Sequence, residues 1–248
     1  MKRPLVLITG VGRAVGIGAG IARKLASDGW DIAINHWTPY DLTLNYSDPL
    51  EPHAFAAELA ASGAQLTSIP ADLALPDTPK KIFDTLRVNG TPASGLMMAH
   101  CESVQSNIID TSLESFDRHF AVNARASWQL IREFALQVPP SGGRIASLTS
   151  DHTVGNLPYG ASKGAMDRIV LAAARELAPL RILSNVINPG PIDTGWMKET
   201  DRAACLARQP SGTLGTPADT AELVSFLFSE KGSWINGQLL KSDGGFSA

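Results

Sequence analysis

The sequence predicts an α/β fold, a doubly wound parallel sheet with helices on both faces, in a single domain spanning 1–248. Three observations predict it. Short apolar runs alternate with helical periodicity from end to end, the rhythm of a parallel sheet built from βαβ units. A glycine-rich turn joins the first apolar run to the first helix, where backbone amides can meet an anion. Tyr159 and Lys163 stand four apart at the head of a helical run, so they share one helix face. Right-handed crossovers leave a Rossmann-like sheet as the economical arrangement.

The elements follow in order. Leu5–Ile8 is continuously apolar, as a strand covered on both faces should be. Ile17–Ser27 reads as a helix, Asp31–Asn35 as a strand, His53–Ser62 as an Ala-rich helix and Leu66–Pro70 as a strand. Thr78–Val88 is a helix, Gly95–Ala99 a strand and Leu113–Gln137 one long helix. Arg144–Leu148 is a strand bounded by Gly142 and Gly143. Tyr159–Leu177 is a helix, Ile182–Ile187 a strand, Ala218–Ser229 a helix and Gln238–Lys241 the last strand. Two stretches break the rhythm and read as long loops: Trp37–Pro52, and Pro189–Pro217 with its substrate-facing part around 190–216.

Composition narrows the class. The net charge is −3 with signs interspersed, which argues against a nucleic-acid or membrane-surface partner. Apolar runs are too short to span a bilayer. Cys101 and Cys205 form neither a CxxC pair nor a disulfide framework. The first strand starts near Pro4, leaving no room for a signal peptide. A cytoplasmic protein is expected.

Gly10, Gly12, Gly16, Gly18 and Gly20 follow the first strand directly. Glycine allows the sharp turn and the close backbone approach that a pyrophosphate needs, and the N-terminus of the next helix, from Ile17, faces that anion. The second strand ends at Asn35, His36 and Trp37 without the carboxylate that would bind a ribose diol. Arg13 in the glycine loop supplies a cation for a 2′-phosphate. NADP(H) is therefore the favoured cofactor, with NAD(H) as the alternative. Asp72, after the third strand, reads either as an acceptor for the adenine amine or as a helix cap.

The strand–glycine–helix start, the Tyr159/Lys163 pair and the Asn188-Pro189-Gly190 turn resemble the classical short-chain dehydrogenase/reductase family. So do Asn123 in Ala121-Val122-Asn123, the Gly237-Gln238-Leu239 run and the Asp243-Gly244-Gly245 signature. The likeness covers nearly the whole chain and is nearest to carbonyl reductases of the 3-oxoacyl-carrier-protein reductase type. It implies Tyr159 as general acid, Lys163 as the group that holds the nicotinamide ribose and lowers the tyrosine pKa, and Ser150 as donor to the developing oxyanion. It implies that Asn123 holds a water linking Lys163 to solvent. Pro189, Gly190, Ile192 and Thr194 would border the nicotinamide, with Thr194 on its carboxamide. A homotetramer or homodimer through the helices containing Asn123 and Tyr159 is likewise implied.

Three departures from the family pattern stand out. Gly10 and Gly16 enclose five residues where the family has three. Met98-Ala99-His100-Cys101 replaces the usual Asn-Asn-Ala-Gly, and Glu102 and Ser103 follow. Ser150 precedes Tyr159 by nine positions, closer than usual. His100, Cys101 and Glu102 alternate in direction and so cannot converge on a metal, and none is expected. His152, Trp196 and Met197 are candidates for contact with substrate.

The expected function is NADPH-dependent reduction of a ketone or 3-oxoacyl group, with a small carbonyl compound or an acyl thioester as partner. An NAD(P)-dependent dehydrogenase of a secondary alcohol, sugar or steroid uses the same residues in reverse. A non-catalytic dinucleotide-binding protein is the third reading, motivated by the altered loop at Met98–Cys101.

Overall fold

The computed structural model describes residues 2–43, 48–88, 90 and 92–248. Side chains of a strand alternate between faces, and the two cores divide the apolar runs accordingly. In β1 (Leu5–Thr9), Val6 and Ile8 enter one core while Leu5 and Leu7 enter the other. The first core packs β1 and β2 (Asp31–His36) against α1 (Ile17–Ser27) and α9 (Pro217–Phe228). The second lies under α4 (Thr78–Val88), α6 (Ala126–Ala135) and α7 (Leu157–Glu176), with Phe83 and Phe134 fully buried at 6.4 Å between ring centroids. Truncating such a ring to alanine costs about 3–5 kcal/mol.

The remaining strands are β3 (Leu66–Pro70), β4 (Ala93–Met98), β5 (Gly143–Leu148), β6 (Ile182–Asn188) and β7 (Leu239–Lys241). All pairings are parallel, in the order β3-β2-β1-β4-β5-β6-β7. The order reverses between β1 and β4, so a crevice opens beyond the carboxyl ends of those two strands. The predicted doubly wound sheet is the fold observed.

The structure corrects the predicted elements in three places. The long helix is broken: α5 (Leu113–His119) passes into a π-helical turn, Phe120–Arg125, before α6. Both long loops contain helices, α2 (Thr38–Thr43) and α8 (Glu199–Arg208). Neither buries a residue fully, so neither carries the apolar stripe by which a helix is recognised. The remaining helix is α3 (Pro52–Ala60), and residues 44–47 of the first loop lie outside the described set. Among the described residues, no helix is long and apolar enough to cross a membrane.

Candidate active site

The site is built at the carboxyl ends of β1, β4, β5 and β6. Thr9 closes β1 and Gly10 follows at φ +76°, with its Cα against the loop after β4. A Cβ on Gly10 would fall 2.5 Å from the backbone of His100, so any side chain there collides with that loop. Gly18 in α1 faces the Gly10 carbonyl, where a Cβ would fall at 3.0 Å. Gly16 caps α1 in extended conformation, and no side chain caps the first-turn amides. These open amides, with the positive end of the helix dipole, fit the pyrophosphate of a dinucleotide.

The two extra residues of the glycine loop pair with the segment after α2. Arg13 and Pro49 form an antiparallel bridge; the Leu50 amide donates to the Gly12 carbonyl at 2.8 Å and the Ala14 amide to Asp48 at 3.3 Å. Arg13 Nε and Nη2 donate to Asp48 Oδ1 at 3.0 and 2.8 Å, and Nη2 also reaches the Thr194 carbonyl at 2.9 Å. The cation proposed for a 2′-phosphate is thus engaged by a carboxylate and by the loop after β6. Asp41 on α2 lies against Gly12, and burial raises its pKa. His36 pairs with Ser68 at 3.0 Å across β2 and β3, and burial lowers its pKa. Asp72 does not cap a helix: Oδ1 accepts from the Ala74 amide at 2.8 Å in the turn before α4, and Oδ2 meets Arg118 at 3.3 Å.

The loop after β4 departs from the family's residues, yet side chains hold it throughout. His100 is buried between Thr9 Oγ1, at 2.6 Å from Nδ1, and the Val122 carbonyl, at 3.0 Å from Nε2. Asn123 Oδ1 accepts from the Glu102 amide at 2.7 Å, and its Nδ2 donates to the Glu102 carbonyl at 3.0 Å and to Ser162 Oγ at 2.8 Å. The Glu102 carboxylate accepts from Arg118 Nε at 3.0 Å. The Ser103 amide donates to Tyr40 at 3.1 Å, the Ser103 hydroxyl accepts from Asn156 at 2.9 Å, and the Val104 amide donates to His119 Nε2 at 3.0 Å. No sequence motif marks Asn156, His119, Arg118 or Tyr40 for these tasks; only the fold brings them to the loop.

Tyr159 and Lys163 sit in the first turns of α7, and both side chains are buried. Lys163 Nζ donates to the Leu148 carbonyl at 2.9 Å and the His100 carbonyl at 3.2 Å, and lies 5.9 Å from the centre of the Tyr159 ring. Ser150, just past β5, lies near the Tyr159 phenol, and its hydroxyl favours a lower phenol pKa. Burial drives the phenol pKa well up, and Ser150 offsets only part of this. Burial likewise lowers Lys163. With the chain alone, Tyr159 is therefore a neutral phenol. Asn123 acts on Ser162 and the Glu102 backbone, one residue away from Lys163 rather than directly on it.

The loop after β6 borders the same cleft. Asn188 Oδ1 accepts from the Gly190 amide at 3.1 Å, and Gly190, at φ +66°, packs on Asp243 with no room for a Cβ. Ile192 bridges to Gly215, closing the loop at its base. Trp196 comes within 6.4 Å of the Tyr159 ring, tilted by 52°, and Met197 follows it half-buried. His152 is exposed; its ring bonds the Val154 carbonyl at 2.9 Å and so closes its own loop. Among the described residues, no group of three or more His, Cys, Asp or Glu could hold a metal.

Residues 10–247 match the family model described as enoyl-(acyl carrier protein) reductase. The chain is 36% identical over 256 residues to the uncharacterized oxidoreductase YjdA of Bacillus subtilis, covering 99% of this chain and 97% of that one. It is 31% identical to NADPH-dependent aldehyde reductase 2, chloroplastic, of Arabidopsis thaliana, covering 97% and 93%. Among solved structures, a short chain dehydrogenase from Burkholderia cenocepacia in complex with NADP superposes with a TM-score of 0.87 at 30% identity, covering 100% of this chain and 98% of that one.

Proposed function

The chain belongs to the short-chain dehydrogenase/reductase family, and from that premise we propose that this oxidoreductase reduces a ketone or 3-oxoacyl group to a secondary alcohol, with NADPH as its preferred cofactor. One observation carries the chemistry: the buried Tyr159 phenol has Ser150 beside it and the Lys163 ammonium 5.9 Å from its ring, and the direction rests on the preference for NADPH. When bound, the dinucleotide supplies the hydride.

The residues divide the remaining work. Gly10, Gly12, Gly16, Ile17 and Gly18 leave the first turn of α1 open to the pyrophosphate. Pro189, Gly190, Ile192 and Thr194 border the nicotinamide. Tyr159 gives its proton to the substrate oxygen, and Ser150 donates a hydrogen bond to that oxygen as charge develops. Lys163 holds the nicotinamide ribose, and its positive charge stabilises the phenolate left when Tyr159 gives up its proton. Asn123 fixes the backbone at Glu102 and the Ser162 hydroxyl that flank Lys163. Trp196 and Met197 form an apolar wall over the substrate, with His152 at its rim.

NADPH is preferred over NADH because β2 ends without a carboxylate; NADPH dependence in the Arabidopsis relative supports the same choice. A 2′-phosphate would compete with Asp48 for Arg13. His36 and Asp72 stand at the adenosine end. Half-exposed Trp128 on α6, beside Phe120 and Ile169, offers an apolar surface for self-association through the long helices. The test is NADPH consumption with ketone, aldehyde and 3-oxoacyl thioester panels, run beside NADH. NADPH-dependent reduction of a panel member supports the reading; oxidation of alcohols with NAD alone would replace it.

A further inference from the structure

We propose that His100 is a positioning residue, whose imidazole ties the end of β1 to the π-helical turn and thereby fixes the backbone carbonyl that receives the Lys163 ammonium. The inference rests on the role given to Lys163 above.

The ring is fully engaged. Val122 offers a carbonyl, which only accepts, so Nε2 carries the hydrogen and donates at 3.0 Å. Nδ1 is then an acceptor, and the Thr9 hydroxyl donates to it at 2.6 Å. The Ser127 hydroxyl lies 3.4 Å from Nε2 and donates to the Asn123 carbonyl at 2.7 Å. The π-helical turn shifts the helical hydrogen bonds by one residue. Its Val122 and Asn123 carbonyls accept from His100 and Ser127.

Each anchor adjoins a functional residue. Thr9 directly precedes Gly10, whose Cα touches the His100 backbone. Val122 directly precedes Asn123. The carbonyl of His100 itself accepts from Lys163 Nζ at 3.2 Å. One side chain therefore sets the relative positions of the phosphate loop, the Asn123 turn and the ammonium.

A neutral imidazole is required, because protonation would set a second positive charge near Lys163 and abolish the acceptor for Thr9. Burial, reinforced by the Lys163 charge, holds the His100 pKa down to about 3. The titratable groups facing Lys163 are Tyr159 and Asp167 on α7 and Cys101 and His100 in the loop after β4.

His100→Leu keeps the bulk and removes both bonds, and His100→Gln keeps one donor and one acceptor. The expected result for H100L is a kcat reduced at least about tenfold, since small displacements of catalytic groups carry such penalties. The alkaline limb of kcat moves to lower pH, because the displaced carbonyl no longer supports the Lys163 charge, and H100Q restores most of both. Nitrogen NMR of the wild-type imidazole should show the neutral Nε2–H form between about pH 5 and 8.

A folded H100L with kcat within about threefold of wild type and an unmoved alkaline limb would overturn the proposal, as would a His100 that titrates in the normal range. If H100L does not fold, Thr9→Val removes one of the two bonds and should shift kcat and limb in the same direction by less; no shift overturns the proposal equally. Tyr159→Phe separates the two readings. Wild-type turnover in Y159F refutes the assigned reaction, and the NMR and NADPH-binding measurements still judge the clamp. An inactive Y159F beside an unaffected H100L refutes the clamp alone.

Discussion

Lys163 Nζ and the Leu148 carbonyl meet at 2.9 Å, which anchors helix α7 to the end of β5, two residues before Ser150. Tyr159, Ser150 and Lys163 are thereby held by one strand–helix junction. Replacing Ser150 by alanine leaves the Lys163–Leu148 bond intact and removes the hydroxyl, which also accepts from the His152 amide at 3.2 Å. The expected outcome is a fall in kcat of about 10²–10³, with NADPH affinity measured by fluorescence titration nearly unchanged.

Gly10 is confined from two sides, by φ +76° and by the His100 backbone. A β-carbon there is strained by roughly 1 kcal/mol from the dihedral alone, and the contact with His100 adds to this. Gly10→Ala should lower the melting temperature and raise the NADPH dissociation constant together. A variant that binds NADPH normally would show that the phosphate loop lies elsewhere.

Arg13 joins three segments that the sequence keeps far apart: the glycine loop, Asp48 and Thr194. Arg13→Ala should raise KM for the carbonyl substrate, because the loop carrying Trp196 loses an anchor. Comparing NADPH with NADH in the same variant tests the other task proposed for this side chain. A drop in the NADPH/NADH preference by about tenfold, or 1.4 kcal/mol, is the signature of a guanidinium that reads the 2′-phosphate; an unchanged ratio assigns Arg13 to loop closure.

His100 makes stability depend on pH. Its pKa is about 3 in the folded chain against 6.5 ordinarily. Between those values the unfolded chain binds the extra proton, so stability is complete above the upper value and is lost as pH falls toward the lower one. The slope is about 1.4 kcal/mol per pH unit. Unfolding experiments at pH 7 and 5 should therefore show His100→Gln losing about 2 kcal/mol less than wild type. Equal losses would mean that His100 is protonated in the folded protein.

The sheet was legible because its strands are buried on both faces, and continuous apolar runs such as Leu5–Ile8 allow few other readings. Tyr159, Lys163 and Ser150 were legible because their spacing reflects a local strand–helix geometry. The support of the loop after β4 was not. His100, Glu102 and Ser103 look unusual in sequence, and their partners Thr9, Asn123, Arg118 and Asn156 come from four other parts of the chain. Helices α2 and α8 were missed because they bury no side chain fully. The tyrosine pKa was read from the neighbouring charge, while burial is the larger influence.

The central claim is that Tyr159 gives the proton that completes carbonyl reduction. The most direct measurement compares wild type with Tyr159→Phe, following NADPH consumption with a reducible carbonyl and NADPH binding in parallel. The account predicts that the variant binds NADPH as wild type does and turns over about 10²–10⁴-fold more slowly. Turnover at the wild-type rate in Y159F would contradict it.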